Sequence, residues 1–405
     1  MSKIMAVNAG SSSLKFQLIL MPEEEVITSG ILERIGVKKE DGTFDGAFKI
    51  EFGSEVVKTQ IPLSDHKVAV KLLLDALEEY KIVESLSEID AVGHRVLHGG
   101  EKYSDSAIFT EAVLNDIDEL TELGPLHMPA NKIGYESFRD ALPTNVKHVA
   151  VYDTAFHQTM EQDTFMYPLP YEYYTDYKIR RYGFHGTSHK YVSERCAELL
   201  NKKLEDVNTI VCHLGNGASL CAVKGGKSIN TSMGFTPLAG IMMGTRCGNI
   251  DPAIIEFVMD KTGKTVEEVI NVLNKESGFL GISGISSDAR TIEQAFNEGN
   301  ERAILTRKMY ANILSQTIGS YFIQLGKVDA IVFTAGLGEN DANVRAEALD
   351  LIAEAMNVSY DKELNAKTRG KEVKISTPDS AIEVWVIPTN EELVIARDVV
   401  RLLGI

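Results

Sequence analysis

The chain has 405 residues, which is too long for one hydrophobic core and indicates two domains. Its formal net charge of −17 argues against nucleic acid or an anionic membrane surface as a partner. A hydrophobic content of 44%, no apolar stretch of membrane-spanning length, no signal peptide and four cysteines without CxxC spacing are typical of a protein of the reducing cytoplasm.

A strand–turn–strand pattern occurs twice, at residues 4–16 and 209–223, each time with a loop of Gly, Asn and Ser. Such turns expose backbone N–H groups and short hydroxyls, which together bind phosphate oxygens. A third loop, residues 333–340, follows a strand and opens a helix whose first amides favour anions. Ordinary hairpins have the same composition, and for any single loop that alternative is the stronger. The three loops together, with Lys15 just past the first, favour a nucleotide between two related lobes.

Strand and helix patterns alternate along the rest of the chain. Apolar residues repeat at helical spacing over 70–77, a long helix is predicted over about 300–325, and a last helix starts near Glu391. Strands are predicted at 89–96, 148–153, 329–334 and 381–387. This order predicts α/β layers with parallel strands, whose ligands bind at the carboxyl ends of the strands. Six polar or glycine residues lie at or just beyond such ends: Asn8, Arg95, Asp153, His213, Gly336 and Glu391.

Two arginines are framed by glycines. Arg95 lies between Gly93 and Gly99, and Arg246 lies between Gly244 and Gly248. An arginine fork binds carboxylate or phosphate through two parallel hydrogen bonds. For Arg95 a structural salt bridge to the nearby Glu101 explains the pattern equally well, whereas an exposed surface arginine rarely needs the glycines that surround Arg246.

Several other polar residues leave two interpretations open. His185, flanked by glycines, suits a hydrogen-bond donor close to a ligand, whereas we expect Ser188 to cap a helix and His189 to lie in the core, since no third ligand supports a metal site. Asp153 either caps a helix or holds Mg²⁺ or polarises a nucleophile.

Two further segments have the form of helix starts. Residues 287–290 either start a helix or hold an adenosine. Residues 389–392 have the form of a capping box. We expect Glu392 to complete this cap and Glu391 to have a functional role.

Together these segments resemble the acetate kinase (acetokinase) family of the acetate and sugar kinase, Hsp70 and actin superfamily. The resemblance runs essentially end to end and rests above all on residues 8–15, 183–189, 236–246 and 333–340. It implies an α/β fold of two actin-like (ribonuclease H-like) lobes, with mixed sheets flanked by helices and the active-site cleft between them. The N-terminal lobe would be 1–150, completed by the helix in 387–405, and the C-terminal nucleotide-binding lobe would be 151–386.

The resemblance also implies the activity. The family transfers a phosphoryl group reversibly from ATP to acetate, giving acetyl phosphate and ADP, with Mg²⁺, for which Mn²⁺ can substitute. Its members are cytoplasmic homodimers. Direct in-line transfer needs no phosphoenzyme, and a carboxylate that is already ionised at neutral pH needs no general base.

Carried over position by position, the resemblance implies five groups of site residues. The catalytic residues would be Arg95, Asp153, His185 and Arg246, and the metal would be held by Asn8 and Glu391. The phosphate path would be lined by Ser11, Ser13 and Lys15. The nucleotide would be held by His213, Leu214, Gly215, Asn216, Gly217, Asp288, Ala289, Arg290, Gly336, Leu337, Gly338, Glu339 and Asn340. The carboxylate of acetate would be bound by Arg95, in a methyl pocket walled by Leu97, Leu126, Phe184 and Pro237.

The chain departs from the family pattern at three positions. Leu97 stands where the family usually has valine, which bears on acyl-chain selectivity. Asn230 and Asn249 stand where the family often has aspartate, and nothing in the sequence explains them. The nearer alternative is a propionate or butyrate kinase of the same family, and the more distant one is a non-catalytic nucleotide-gated binding protein on the same fold.

Overall fold

The computed structural model describes residues 1–125 and 127–405. Their contacts separate into two units, one made of Met1–Ala155 with Asn390–Ile405 and the other of Phe156–Thr389. Each unit is a mixed sheet flanked by helices, as the fold class expected from the sequence requires. Leu126, one of the expected pocket residues, lies outside the described residues. Within the described part of the chain, no helix has the length and apolar character needed to cross a membrane.

The first unit contains eight strands and four helices. The strands are β1 Ser2–Ala9, β2 Ser13–Met21, β3 Glu25–Glu33, β4 Ala47–Phe52, β5 Glu55–Gln60, β6 Ala91–Val96, β7 Ala107–Ile108 and β8 Lys147–Tyr152. The helices are α1 His66–Glu79, α2 Glu111–Leu120, α3 Met128–Ala141 and, from the end of the chain, α15 Glu391–Leu403. Short 3₁₀ helices span Leu86–Glu88 and Thr121–Leu123, and a further one, Ala155–Thr159, follows β8.

The strands of this unit form one sheet in the order β5-β4-β3-β2-β1-β6-β8-β7. The first five strands are joined by antiparallel hairpins, whereas β1, β6 and β8 are parallel. The carboxyl ends of these three parallel strands therefore meet at one edge of the sheet. The predicted hairpin at residues 4–16 is confirmed, with Asn8 paired to Lys15 across the turn.

Helices cover both faces of this sheet. On one face Met5 and Phe16 of the sheet share a buried core with Leu73 of α1 and Phe138 of α3. On the other face α15 approaches β6 so closely that a Cβ at Gly93 would lie 2.3 Å from the Ile395 side chain. Glycine at position 93 is therefore what allows the last helix to lie against the parallel strands.

The second unit contains six strands and eleven helices. The strands are β9 Asn208–Leu214, β10 Ala218–Lys224, β11 Lys227–Thr231, β12 Ala330–Thr334, β13 Val373–Lys374 and β14 Glu383–Val386. The helices are α4 Gln162–Phe165, α5 Tyr171–Tyr177, α6 Gly186–Leu199, α7 Ala253–Thr262, α8 Val266–Lys275, α9 Gly278–Ser283, α10 Ala289–Asn297, α11 Glu301–Leu325, α12 Ala335–Asn340, α13 Ala342–Met356 and α14 Lys362–Lys367, and a 3₁₀ helix spans Leu204–Asp206.

The sheet of this unit has the order β11-β10-β9-β12-β14-β13. Antiparallel hairpins join β9 to β11, and β9, β12 and β14 are parallel, so a hairpin beside three parallel strands occurs in both units. Val192 of α6 packs on one face with Val211 and Val332, and α11 contacts β9 and β10. The predicted long helix, the hairpin at 209–223 and the last two strands are confirmed.

Candidate active site

Arg95 is the centre of a polar cluster at the carboxyl edge of the first sheet. It lies near the end of β6, Asn8 lies near the end of β1, and Asp153 directly follows β8. Arg95 Nε donates to Asp153 Oδ1 at 2.8 Å, Nη2 donates to the other carboxylate oxygen, and Nη1 donates to Asn8 Oδ1 at 3.2 Å. Glu391 Oε2 lies 3.9 Å from Arg95 Nε. The ion-pair partners of Arg95 are therefore Asp153 and Glu391, which decides against the alternative of a bridge to Glu101.

The electrostatics of this cluster keep Arg95 charged. Burial acts to lower the pKa of Arg95, but the charges of Asp153 and Glu391 and the hydrogen bonds to Asp153 raise it above its usual value. The Asp153 side chain is fully buried, with both oxygens bound to the guanidinium. Asp153 therefore holds the Arg95 side chain in position. The sequence left open that Asp153 caps a helix, but in the structure its carboxylate binds Arg95 instead.

The start of α15 corrects the expected capping box. Asn390 caps the helix by accepting from Leu393 N at 3.1 Å. Glu392, which was expected to complete the cap, instead pairs with Lys15 Nζ at 2.5 Å. The sequence pattern therefore located the start of the helix correctly but assigned the cap to the wrong residue. It could not reveal the ion pair of Glu392 with β2, because that contact joins residues far apart in the sequence.

The turn between β1 and β2, at Ser11 and Ser13, is held in place by side chains of two helices. Asn131 of α3 donates to Ala9 O at 2.8 Å and accepts from Leu97 N at 2.9 Å, so it ties the end of β1 to the segment after β6. His66 of α1 contacts Gly10 O at 2.8 Å. Neither anchor was found from the sequence, because an asparagine within a helix and a histidine at a helix start carry no signal of a distant partner.

The four expected wall residues of the methyl pocket are not all brought together in one unit. Leu97 is buried in the first unit, where it contacts the segment at Gly124. Phe184 is buried in the second unit, and Pro237 lies in that unit as well. The pocket therefore remains a prediction.

In the second unit His185 is held at the start of α6. Its backbone adopts a left-handed conformation at the N-cap, with φ of 58°. Its Nδ1 bonds the Ser219 hydroxyl at 2.9 Å, and Ser219 also contacts His189 Nε2 at 2.8 Å. His189 is fully buried, as expected, and burial lowers its pKa well below the usual value. A neutral buried His189 thus positions Ser219, which in turn orients the His185 ring.

Ser188 does not cap this helix, because His185 occupies the cap position. Instead the Ser188 hydroxyl bonds His213 Nδ1 at 2.7 Å and Thr389 Oγ1 at 2.8 Å. The His213 ring stacks on His185 with centroids 4.1 Å apart. The expectation of a capping role for Ser188 is therefore wrong, since the helix begins two residues before it.

Arg246 lies beside His185 and differs electrostatically from Arg95. An ideal Cβ on Gly217 would lie 3.5 Å from Arg246 Nη1 and 3.6 Å from His185 Nε2. Arg246 Nη1 donates to Pro237 O at 3.2 Å, and among the described residues no carboxylate forms an ion pair with Arg246. Burial lowers its pKa. A partly buried guanidinium without a counter-charge is a receptor for an anion.

A cavity of about 760 Å³ in this unit lies next to these residues. It is lined by eight expected nucleotide residues: Gly215, Asn216, Asp288, Ala289, Arg290, Gly336, Leu337 and Asn340. Five expected residues do not line it: His213, Leu214, Gly217, Gly338 and Glu339. Five lining residues were missed from the sequence: Gly244, Phe279, Glu293, Asp341 and Arg369. Ser287 belongs to the segment 287–290, which the sequence offered as a helix start or an adenosine site. A volume of this size suits a nucleotide-sized organic ligand.

The cavity walls are fixed by local contacts. Asp288 caps α10 and also pairs with Arg290, so the helix-start interpretation of this segment is confirmed. Gly244 packs against the β9–β10 loop so tightly that a Cβ would lie 1.9 Å from Asn216 Oδ1. The fully buried Arg345 donates to Gly338 O at 2.9 Å and to Asn365 Oδ1 at 2.8 Å, which holds α12 in place.

The residues around Arg95 offer oxygen donors that could hold a divalent cation. Asn8, Asp153 and Glu391 supply one carboxamide and two carboxylates, and oxygen donors are the ligands that Mg²⁺ prefers. No group of three or more His, Cys, Asp or Glu is arranged as a metal site in the described part of the chain. Mg²⁺ does not need such a cage, since it commonly takes one or two carboxylates plus substrate phosphates and water.

Comparisons with known proteins give one consistent result. A family model described as the acetokinase family matches residues 3–397. An acetate kinase of Geobacillus sp. strain WCH70 is 58% identical over 405 residues, which are 100% of both chains. The crystal structure of Porphyromonas gingivalis acetate kinase has a TM-score of 0.93 at 41% identity and covers 100% of both chains. A propionate kinase from Francisella tularensis subsp. tularensis SCHU S4 has a TM-score of 0.91 at 39% identity, with 98% of this chain and 99% of that chain covered.

Proposed function

The chain belongs to the acetokinase family, and from that premise we propose that it transfers the terminal phosphoryl group of ATP to acetate, reversibly, giving acetyl phosphate and ADP. The observation that carries the proposal is the unpaired, partly buried Arg246 beside His185 and the β9–β10 loop. A phosphoryl group in transfer spreads negative charge over its oxygens, and an uncompensated guanidinium stabilises that charge.

The nucleotide would occupy the 760 Å³ cavity, which eight of the expected nucleotide residues line. The backbone N–H groups of residues 215–217 and of the Gly336 segment are suited to phosphate oxygens, because the first form a glycine-rich turn after β9 and the second open α12 after the parallel strand β12. In this arrangement the phosphate chain would extend from the cavity toward Gly217, where Arg246 and His185 meet.

The Arg95 cluster would serve the carboxylate substrate and the metal. Arg95 keeps its charge because Asp153 binds it through two hydrogen bonds, and its fixed fork suits a carboxylate or phosphoryl oxygen. Asn8 and Glu391 would hold Mg²⁺, which supplies charge neutralisation of the nucleotide phosphates when bound. Acetate needs no general base, because a carboxylic acid of pKa near 4 to 5 is ionised at neutral pH.

His185 would donate a hydrogen bond to the phosphoryl group in transfer. Ser219 holds its Nδ1, which leaves Nε2 toward the side of Gly217 and Arg246. Donors fixed in advance where charge develops contribute most to such a reaction, since they need no reorganisation. Direct in-line transfer follows, since no step here requires a phosphoenzyme.

The test is a steady-state assay of the formation of ADP and the corresponding acyl phosphate with acetate, propionate and butyrate at fixed ATP and Mg²⁺. We expect acetate to accelerate ATP turnover and to be used with the highest kcat/KM. Highest kcat/KM with propionate or butyrate would favour the alternative within the family, to which the propionate kinase neighbour corresponds. Turnover that acetate does not accelerate would favour the non-catalytic nucleotide-gated protein and refute the proposal.

We also propose that the protein is a cytoplasmic homodimer without nucleic acid or membrane partners. Four free cysteines suit the cytoplasm, and a net charge of −17 disfavours nucleic acid and membrane partners. A homodimer is supported by exposed apolar side chains on two adjacent helices, namely Ile254, Phe257, Val266 and Ile270. Light scattering after size-exclusion chromatography measures the mass, and a value near the 44.6 kDa of one chain would contradict the dimer.

A further inference from the structure

A second cavity, of about 430 Å³, lies within Phe156–Thr389 and shares no lining residue with the nucleotide cavity. Its walls come from β11, from the loop of residues 240–249 and from α11, and the lining contains hydroxyl, carboxamide and guanidinium groups but no acidic residue. The volume is in the range of small-molecule sites, about 300–1,000 Å³, which leaves room for an organic ligand rather than a bare ion.

Arg181 is the one charged residue of this lining. Its Nη1 donates to Thr231 O at 2.5 Å, its Nε is buried without a partner, and no carboxylate of the described residues pairs with it. Burial raises the pKa of the neighbouring Tyr321, and the positive charge of Arg181 acts in the opposite direction, so the two side chains lie close together. In a chain with 58 acidic and 41 basic residues, a half-buried arginine without a counter-charge indicates an anion site.

Two carboxamides keep the cavity free of negative charge. Asn249 Oδ1 accepts from Gly240 N at 2.9 Å, and Asn249 N donates to Gly240 O at 2.9 Å, so this side chain closes the neck of the 240–249 loop. Asn230 donates to Gln324 at 2.9 Å. Aspartate at position 249 could accept the same hydrogen bond from Gly240 but would place a negative charge in the cavity.

The same loop carries Arg246, so the cavity lies against the loop that positions the candidate catalytic arginine. Met242 and Cys247 line the cavity, and Met243 N donates to Arg246 O at 3.0 Å across the turn between them. Gly248 is held so tightly that a Cβ would lie 2.5 Å from Gly240 O. A ligand in the cavity would therefore act on a rigid loop, whose shifts are transmitted to Arg246 rather than absorbed.

We propose that this cavity binds a small organic oxyanion, a carboxylate or a phosphate ester, at Arg181, and that binding there changes turnover through the Arg246 loop. The donors around Arg181 are the hydroxyls of Ser320 and Tyr321 and the carboxamide of Gln316. The proposal that an anion binds here depends on the cavity alone (the binding half), whereas the proposal that binding changes turnover rests on the proposed function (the regulatory half).

Cys247 supplies a readout that does not depend on kinase activity. It is half-buried and lines the cavity, whereas Cys196, Cys212 and Cys221 are buried. The full chain is treated with iodoacetamide in the presence of saturating ADP, and the rate of Cys247 alkylation is measured by mass spectrometry. One series contains increasing succinate and the other contains increasing glycerol 3-phosphate. We expect at least one probe to slow Cys247 alkylation several-fold and to saturate. Protection by succinate alone identifies a carboxylate site, and protection by glycerol 3-phosphate alone identifies a phosphate ester site.

Two matched variants of α11 test the charge argument. Gln316→Glu adds one negative charge to the cavity lining, and Asn312→Asp adds one to the same helix outside the lining. Gln316→Glu should weaken binding of the protective probe several-fold, since a negative charge on the cavity lining repels an anion even across water. Asn312→Asp should leave protection unchanged. Circular dichroism and thermal melting confirm that both variants are folded, and Gln316 and Asn312 are both exposed, so neither change disturbs the core.

The outcomes separate the two halves of the proposal. Failure of both probes to protect Cys247, or equal protection in Gln316→Glu and wild type, overturns the anion site. If a probe protects Cys247 but saturating probe leaves kcat unchanged, the proposed effect on turnover is overturned. A change of kcat in wild type and Asn312→Asp, but not in Gln316→Glu, supports that effect. An inactive protein whose Cys247 is still protected would refute the proposed function and leave the binding site standing.

Discussion

Replacement of Asp153 by asparagine should be the most damaging conservative change in the first unit. Asp153 is fully buried and accepts from both Nε and Nη2 of Arg95. Two unit charges about 4 Å apart attract by about 4 kcal/mol at the effective dielectric constant of about 20 that suits partly buried pairs. Breaking such a pair on one side typically costs about 3–5 kcal/mol, because the remaining charge stays buried. An asparagine also turns an N–H donor toward a guanidinium donor, so one of the two hydrogen bonds is lost.

The effect on catalysis should exceed what stability alone explains. A guanidinium that shifts by about 1 Å can cost about 100-fold in kcat, and we expect a loss of at least that size for Asp153→Asn. The assays are urea unfolding at pH 7 and initial rates with acetate at saturating ATP and Mg²⁺, repeated over a range of Mg²⁺ concentrations. The matched control is Asp105→Asn, which removes a two-hydrogen-bond pair with Arg401 at 2.6 and 3.0 Å where both side chains are about half-exposed. Exposed pairs contribute little, so its unfolding midpoint and kcat should stay near wild type. Equal midpoints for Asp153→Asn and Asp105→Asn, with kcat unchanged in both, would refute the reasoning.

Three further predictions concern the site and the pH range. Arg246→Lys should lower kcat about 10²–10³-fold without unfolding the protein, because the fork that stabilises the transition state is lost; near-normal kcat would remove Arg246 from the reaction. Leu97→Ala should raise the ratio of kcat/KM for propionate to that for acetate, since one methylene is worth about 1–3 kcal/mol of discrimination, and an unchanged ratio would place Leu97 away from the substrate. His94 Nε2 and His148 Nδ1 lie 2.9 Å apart in the first unit, and burial lowers the pKa of both, that of His148 to about 4. Because the unfolded histidines bind protons below about pH 6.5, stability should fall as the pH drops from about 6.5 toward 4. Urea midpoints across that range should fall less steeply in His148→Gln, and parallel curves would contradict the assignment.

Local sequence signals predicted most of the elements. The alternation of apolar runs with loops of Gly, Asn and Ser located both hairpins, and helical spacing located α11 and α15 within a residue or two. These features depend on contacts between neighbours in sequence, so a pattern of residues is enough to find them. The same reasoning failed at Ser188 and Glu392, whose side chains bond His213 and Lys15 instead of a helix end.

The sequence by itself determined the α/β class, the positions of the three glycine-containing loops and the identity of the glycine-framed arginines. Only the tertiary structure decided which groups meet them. Arg95 and Asp153 are 58 residues apart and pair because β6 and β8 are neighbours with their carboxyl ends at one edge. Among the described residues no carboxylate pairs with Arg246, and Arg369 and Phe279 reach the 760 Å³ cavity from segments without a motif. Charge state and pocket lining depend on burial and strand order, and those are properties of the folded chain rather than of any short stretch of it.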